Sequence, residues 1–165
     1  MRKRLLAAVS TVVIFLAFPA QSFAVAGDVI VANCDTSKAN LQRVQHFDKL
    51  IRVDIARRLE AISSDYMQPF ASRVVENQLD GVALSQTVVA FNDAQDEFKR
   101  YYEEYERALA DAIDVDCHQS PDEYYQKIEI TRQKRSSLQH SFVTIKQLLS
   151  QYNANLNDFI AKEFN

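Results

Sequence analysis

Two long stretches of this chain place apolar residues at alternating steps of four and three, with no glycine or proline inside either run. That spacing is typical of a coiled-coil seam and predicts helices over about 83–114 and 121–163. The seam positions of the earlier stretch are Leu84, Val88, Phe91, Gln95, Phe98, Tyr102, Tyr105, Leu109 and Ala112. Those of the later stretch are Tyr124, Ile128, Thr131, Arg135, Leu138, Phe142, Ile145, Leu149, Tyr152, Leu156 and Phe159.

A third helix is predicted upstream, over about 37–78, with apolar residues three and four apart. Pro69 lies inside it and predicts a break between Tyr66 and Gln68. The apolar stripe of this helix is Val44, Phe47, Ile51, Ile55, Leu59, Ile62 and Tyr66.

Short connections separate the three helices, the first at Asp80-Gly81 and the second ahead of Pro121. Long amphipathic helices with short connections pack antiparallel. We therefore expect an all-α fold: an elongated, antiparallel up-down-up three-helix bundle with coiled-coil-like packing. It would form one domain over 37–165, after a short lead-in at 25–36. The chain has only 2 glycines and 3 prolines, which argues against a turn-rich β fold and a glycine-rich phosphate loop.

The N-terminus has the pattern of a secretory signal peptide. Basic residues occupy 2–4, an apolar run follows from Leu5 to Phe18, and small residues precede a cut after Ala24 or, alternatively, after Ala26. An uncleaved anchor and a lipoprotein lipidated at Cys34 are weaker alternatives. Without the leader's three basic residues the formal net charge goes from -3 to -6, so we expect no nucleic-acid partner. No later stretch is apolar for long enough to span a membrane, so the expected location is secreted, cell-surface or periplasmic.

The chain has two cysteines: Cys34 precedes the first predicted helix, and Cys117 lies between the second and third. An up-down-up order returns the chain to the same end of the bundle by residue 117. Export would place both thiols in an oxidising compartment, where a lone pair is typical of a disulfide. We predict that they are bonded, with free thiols or a metal site as the alternatives.

Polar residues at two seam positions, Gln95 and Arg135, predict a polar layer inside the bundle. Arg135 would pair with Asp48 or Asp54, or stack on Tyr102. The alternative is that Arg135 anchors a ligand or serves a catalytic site.

Tyr101, Tyr125 and Arg132 form a candidate surface patch for a glycan or peptide, the alternative being that the aromatic residues near Cys117 are core packing. No G-x-S-x-G, H-E-x-x-H or C-x-x-C motif occurs in the chain. We expect no catalytic residue, metal or cofactor.

The segment from Tyr102 to Arg135 contains Tyr105-Glu106, Asp116-Cys117, Pro121, Tyr124-Tyr125 and Arg132. In these residues the chain resembles uncharacterised secreted α-helical proteins of small-genome bacteria. The resemblance implies export and a helical fold, and it implies no activity.

Three functions remain open at this point. The first is an exported, non-enzymatic helical interaction or structural protein, with a partner protein or the cell surface as its target. The second is an extracytoplasmic holdase chaperone, although periplasmic holdases resembling this chain in leader and size tend to be basic trimers with a β-body. The third is a small-ligand carrier or enzyme centred on Arg135. The sequence leaves the oligomeric state open.

Overall fold

The computed structural model describes residues 27–164, and its regular secondary structure over that range is entirely helical, which confirms the all-α class. The signal-peptide prediction lies outside the described residues. The helices are α1 (Gly27–Ala32), α2 (Cys34–Ala61), a π-helical segment (Ile62–Met67), α3 (Gln68–Glu76), α4 (Val82–Asp114) and α5 (Pro121–Phe164). No helix in this range has a stretch both long and apolar enough to cross a membrane.

Proline explains the π-helical segment. Pro69 has no N–H, and its ring crowds the carbonyl four residues earlier, so it disfavours regular α-helix just before it. The helix does not end where the break was predicted. It forms a wider π-helical turn over Ile62–Met67 and continues into α3. The wider turn also rotates the later side chains. Ser63 and Met67 are buried and Tyr66 is exposed, so the prediction that Tyr66 belongs to the apolar stripe is wrong.

The turn after α3 begins a few residues ahead of the Asp80-Gly81 pair. Leu79 N–H donates to Val74 C=O at 3.0 Å and Gln78 N–H donates to Val75 C=O at 2.9 Å. These two bonds form a Schellman motif, whose left-handed residue is Gln78 (φ 60°) rather than Gly81. Gly81 is needed for space, because an added Cβ there would overlap the Val74 side chain.

In the residue pairs that join α2 to α4, the residue number rises along α2 while it falls along α4. The Tyr105 hydroxyl donates to Asp48 Oδ2 at 2.6 Å near one end, and the Gln95 amide donates to Leu59 C=O at 3.3 Å further along. These two helices are therefore antiparallel over most of their length.

In the residue pairs that join α4 to α5, the residue number likewise rises along one helix while it falls along the other, so these two helices are also antiparallel. Lys134 Nζ donates to Glu104 Oε2 at 2.8 Å, and Asn155 donates to Thr87 Oγ1 at 2.8 Å. Every predicted seam position on α4 is buried. On α5 every predicted seam position is buried or half-buried except Arg135, which is exposed.

Two contacts tie the α2–α3 arm to α5, one at each end of the molecule. Ser37 Oγ lies 2.7 Å from the Tyr124 hydroxyl at one end. At the other, the rings of Phe70 and Phe159 pack edge to face with centroids 5.8 Å apart. Between these ties the two elements separate, and the gap holds the candidate site.

Candidate functional site

The cystine fixes one end of the site. Cys34 and Cys117 are disulfide-bonded with Cα atoms 5.6 Å apart, which confirms the predicted bond. Both residues are buried and pack with Tyr124. Lys38 Nζ donates to Val115 C=O at 3.0 Å beside them. The start of α2 is thus held on the loop that joins α4 to α5.

The side chains of Asp35 and His118 lie next to this cystine, with His118 Nε2 3.3 Å from Asp35 Oδ1. With Cys34 they form the one group within residues 27–164 that has three potential metal-ligand side chains. The Cys34 sulfur is bonded to Cys117, however, so only two donors remain. Zinc sites in proteins generally have three or four protein ligands, more than this pair supplies.

A cleft of about 350 Å³ opens between α2 and α5, with α4 as its floor. This volume is within the range of small-molecule sites in proteins. The residues that α4 contributes to the floor are Phe98, Tyr102 and Tyr105. The α2 wall is formed by Asp48, Ile51, Arg52 and Ile55, and the α5 wall by Arg135, Leu138, Gln139, Phe142 and Val143.

The charged groups of the cleft lie toward the disulfide end. Asp48 accepts the hydrogen bond from Tyr105, and the Arg52 guanidinium lies over the Tyr102 ring, 4.7 Å from its centroid. Arg52 also contacts Glu106 at 3.4 Å. Tyrosine hydroxyls and planar guanidinium groups thus form one polar end, and aliphatic and phenyl groups form the rest.

The two tyrosines of the cleft floor stay protonated up to a higher pH than an ordinary tyrosine, because their pKa values are raised. Burial raises the pKa of Tyr105 well above its usual value, and the hydrogen bond to Asp48 raises it further. The positive charge of Arg135 acts on this pKa in the opposite direction. Burial and the charge of Glu106 raise the pKa of Tyr102. Both phenols are therefore neutral donors at physiological pH, and neither is suited to serve as a base.

The predicted polar layer is only half present. Gln95 is buried and bonds to the α2 backbone, as a seam amide can. Arg135 is exposed, so its assignment to a buried layer is wrong. The reason is that α2 and α5 diverge at this level and no helix covers the position. Arg135 does line the same cleft as Asp48 and Tyr102, but it is Arg52 that stacks on the tyrosine.

The members of the predicted surface patch separate. Tyr125 and Arg132 line a second, smaller cleft of about 240 Å³ beside α1. Tyr101 is not part of that cleft. It lies on α4, with the Arg100 guanidinium 4.2 Å from its ring centroid.

The role of Arg52 was missed from the sequence. A signal was present, because Asp48 and Arg52 are four residues apart and share one face of α2. Val143 was also missed, since it lies outside the apolar seam and is exposed. No protein family model, curated protein or solved structure matches the chain.

Proposed function

We propose that this chain is an exported, non-enzymatic helical interaction protein, built as an elongated up-down-up three-helix bundle with coiled-coil-like packing. The antiparallel pairs of α2 with α4 and of α4 with α5 support that topology. The cystine supports an oxidising compartment, where such bonds persist. The leader pattern and the resemblance to secreted helical proteins point to the same compartment.

An exposed apolar surface on α2 is the observation that carries the proposal. Its residues are Phe47, Leu50, Ile51 and Val53, each more than half exposed. Phe47 lies three and four positions before Leu50 and Ile51, and Leu50 lies three before Val53, so each side chain has a neighbour within the set on the helix surface. A cluster of large apolar side chains left in water marks a surface that another molecule covers. We call these residues the α2 apolar surface and infer that it binds a partner protein.

Photocrosslinking from this surface tests the proposal. A photoreactive phenylalanine analogue at Leu50 (58% exposed) is compared with the same analogue at Val89 (61% exposed), which lies on α4 outside the surface. The probes are introduced into the protein as exported by its own host. We expect one saturable adduct from position 50, absent from position 89 and lost when Phe47→Asp is added.

Three results would contradict the proposal. Equal adducts from both positions would show that the surface has no preference. An adduct with a second copy of the chain, matched by a dimer in light scattering, would make the surface a self-association interface. Broad crosslinking to many unfolded proteins, together with suppression of their aggregation, would instead identify a holdase.

A further inference from the structure

The cleft between α2 and α5 has a charged end and an apolar end. Asp48 and Arg135 mark the charged end, and Ile55 and Phe142 mark the apolar end. On each helix the two ends are separated by two turns, about 10 Å along the axis at 1.5 Å per residue. The cleft therefore matches a molecule with one polar head and an apolar body about 10 Å long.

The charges at the polar end indicate the sign of the head group. Asp48 already accepts a hydrogen bond from the Tyr105 hydroxyl. Arg52 forms an ion pair with Glu106 and stacks on the Tyr102 ring. Within residues 27–164 no ion pair includes Arg135. A guanidinium facing a partly apolar cleft without a counter-ion is a site for a carboxylate, which it can bind through two parallel hydrogen bonds.

We infer that this cleft binds a small amphipathic carboxylate, with the head group on Arg135 and the apolar body between Ile51 on α2 and Leu138 and Phe142 on α5. Phe98 and Tyr102 on α4 form the floor beneath that body. Asp48 lies across the same end and disfavours a head group of higher negative charge, such as a phosphate monoester, through like-charge repulsion. The cleft shares Ile51 with the α2 apolar surface, but the ligand inferred here is a small molecule and its test does not use the partner protein.

Calorimetry on the purified, disulfide-bonded protein tests the inference. The probes are decanoate, decanol and decylamine, each below the concentration at which it forms micelles. We expect decanoate to bind about twofold to fivefold more tightly than decanol, because an ion pair with an exposed guanidinium makes a modest contribution. Decylamine should bind more weakly than either. Carbon-13 methyl spectra should show shifts at Ile51 and Ile55 on decanoate addition.

Two arginine variants on the same helix complete the test. Arg135→Gln should reduce decanoate affinity to that of decanol, and it should leave decanol binding unchanged. Arg132→Gln, one turn earlier and outside this cleft, should leave both affinities unchanged. Arg135 is exposed, so the fold should tolerate its loss, and a matching circular-dichroism melt checks this. Should Arg135→Gln unfold, Arg135→Lys replaces it and should weaken decanoate binding only in part.

The inference fails under any of four results: no decanoate binding, equal binding of decanoate and decanol, tighter binding of decylamine, or an equal loss in the two arginine variants. None of these measurements involves the partner protein. Failure of this site therefore leaves the crosslinking result for the α2 apolar surface intact, and the reverse also holds.

Discussion

Removal of the cystine should lower the free energy of unfolding while the helices stay folded. The bond joins residues 83 apart in sequence, so it restricts a long loop in the unfolded chain. The chain-entropy treatment gives about 4.5 kcal/mol for a loop of this length at 25 °C. Native strain and residual structure in the unfolded chain reduce such values, so we expect a loss of about 2–4 kcal/mol in the free energy of unfolding.

The double variant Cys34→Ala, Cys117→Ala measures this loss by guanidinium denaturation, monitored by circular dichroism at 222 nm. The wild-type protein in reductant is the matched comparison, because it keeps both sulfur atoms in the core. Both should lose stability while their helical signal in water stays near that of the oxidised protein. The main core between α4 and α5 is a cluster separate from the one around the cystine, so we expect it to hold the helices without the bond.

Two results would refute this reasoning. A change below about 0.5 kcal/mol would mean that the unfolded chain is not restricted by the bond, contrary to the loop argument. A collapse of the helical signal on reduction would mean that the bond, rather than the helix packing, maintains the bundle.

Three further predictions concern single side chains. Tyr105→Phe should cost about 1 kcal/mol at neutral pH, because the hydrogen bond to Asp48 is lost. The pKa of Tyr105 is raised in the folded state, so this residue favours folding below its unfolded value of about 10 and loses that contribution as pH rises further. Denaturation between pH 9 and 11 should therefore show a steeper decline for the wild type than for the variant. Gly81→Ala should cost about 1–3 kcal/mol through overlap with Val74. Because Val74→Ala removes that overlap, the double variant should lose less stability in thermal melts than the sum of the two single variants. Gln78→Gly should stabilise the protein by about 0.5–1 kcal/mol, since glycine adopts the left-handed conformation without strain, and an unchanged or lower melting temperature would contradict this.

The helices and the cystine were accessible from the sequence because they depend on local pattern and on chain geometry. The seam on α4 needs only its neighbours along the helix to be recognised, and each of its positions is buried. The pairing of Cys34 with Cys117 follows from where the chain returns. The turn was located from Asp80-Gly81, but the sequence did not indicate that Gln78 adopts its left-handed conformation or that Gly81 is required by packing.

The cleft could not be predicted from the sequence. It forms where α2 and α5 do not pack against each other, although both have the apolar pattern of packed helices. Periodicity places Ile51 and Arg135 on stripes and predicts that both are covered. Their exposure arises from the distance between α2 and α5, which no local pattern encodes. The π-helical turn is a separate departure from the pattern, since it changes the face that the arm presents after Ile62.

The position of Arg135 has a physical explanation in the two ties between the α2–α3 arm and α5. The hydroxyl pair of Ser37 and Tyr124 holds one end, and the rings of Phe70 and Phe159 hold the other. Between them α2 and α5 both pack on α4 and separate from each other. A seam residue on that stretch of α5 faces a gap with apolar walls and an open side, so a cationic side chain avoids the cost of full burial there. Leucine at this position would extend the apolar wall, whereas arginine leaves a positive charge at one end of it. The open side of the gap therefore explains why an arginine is tolerated at this seam position.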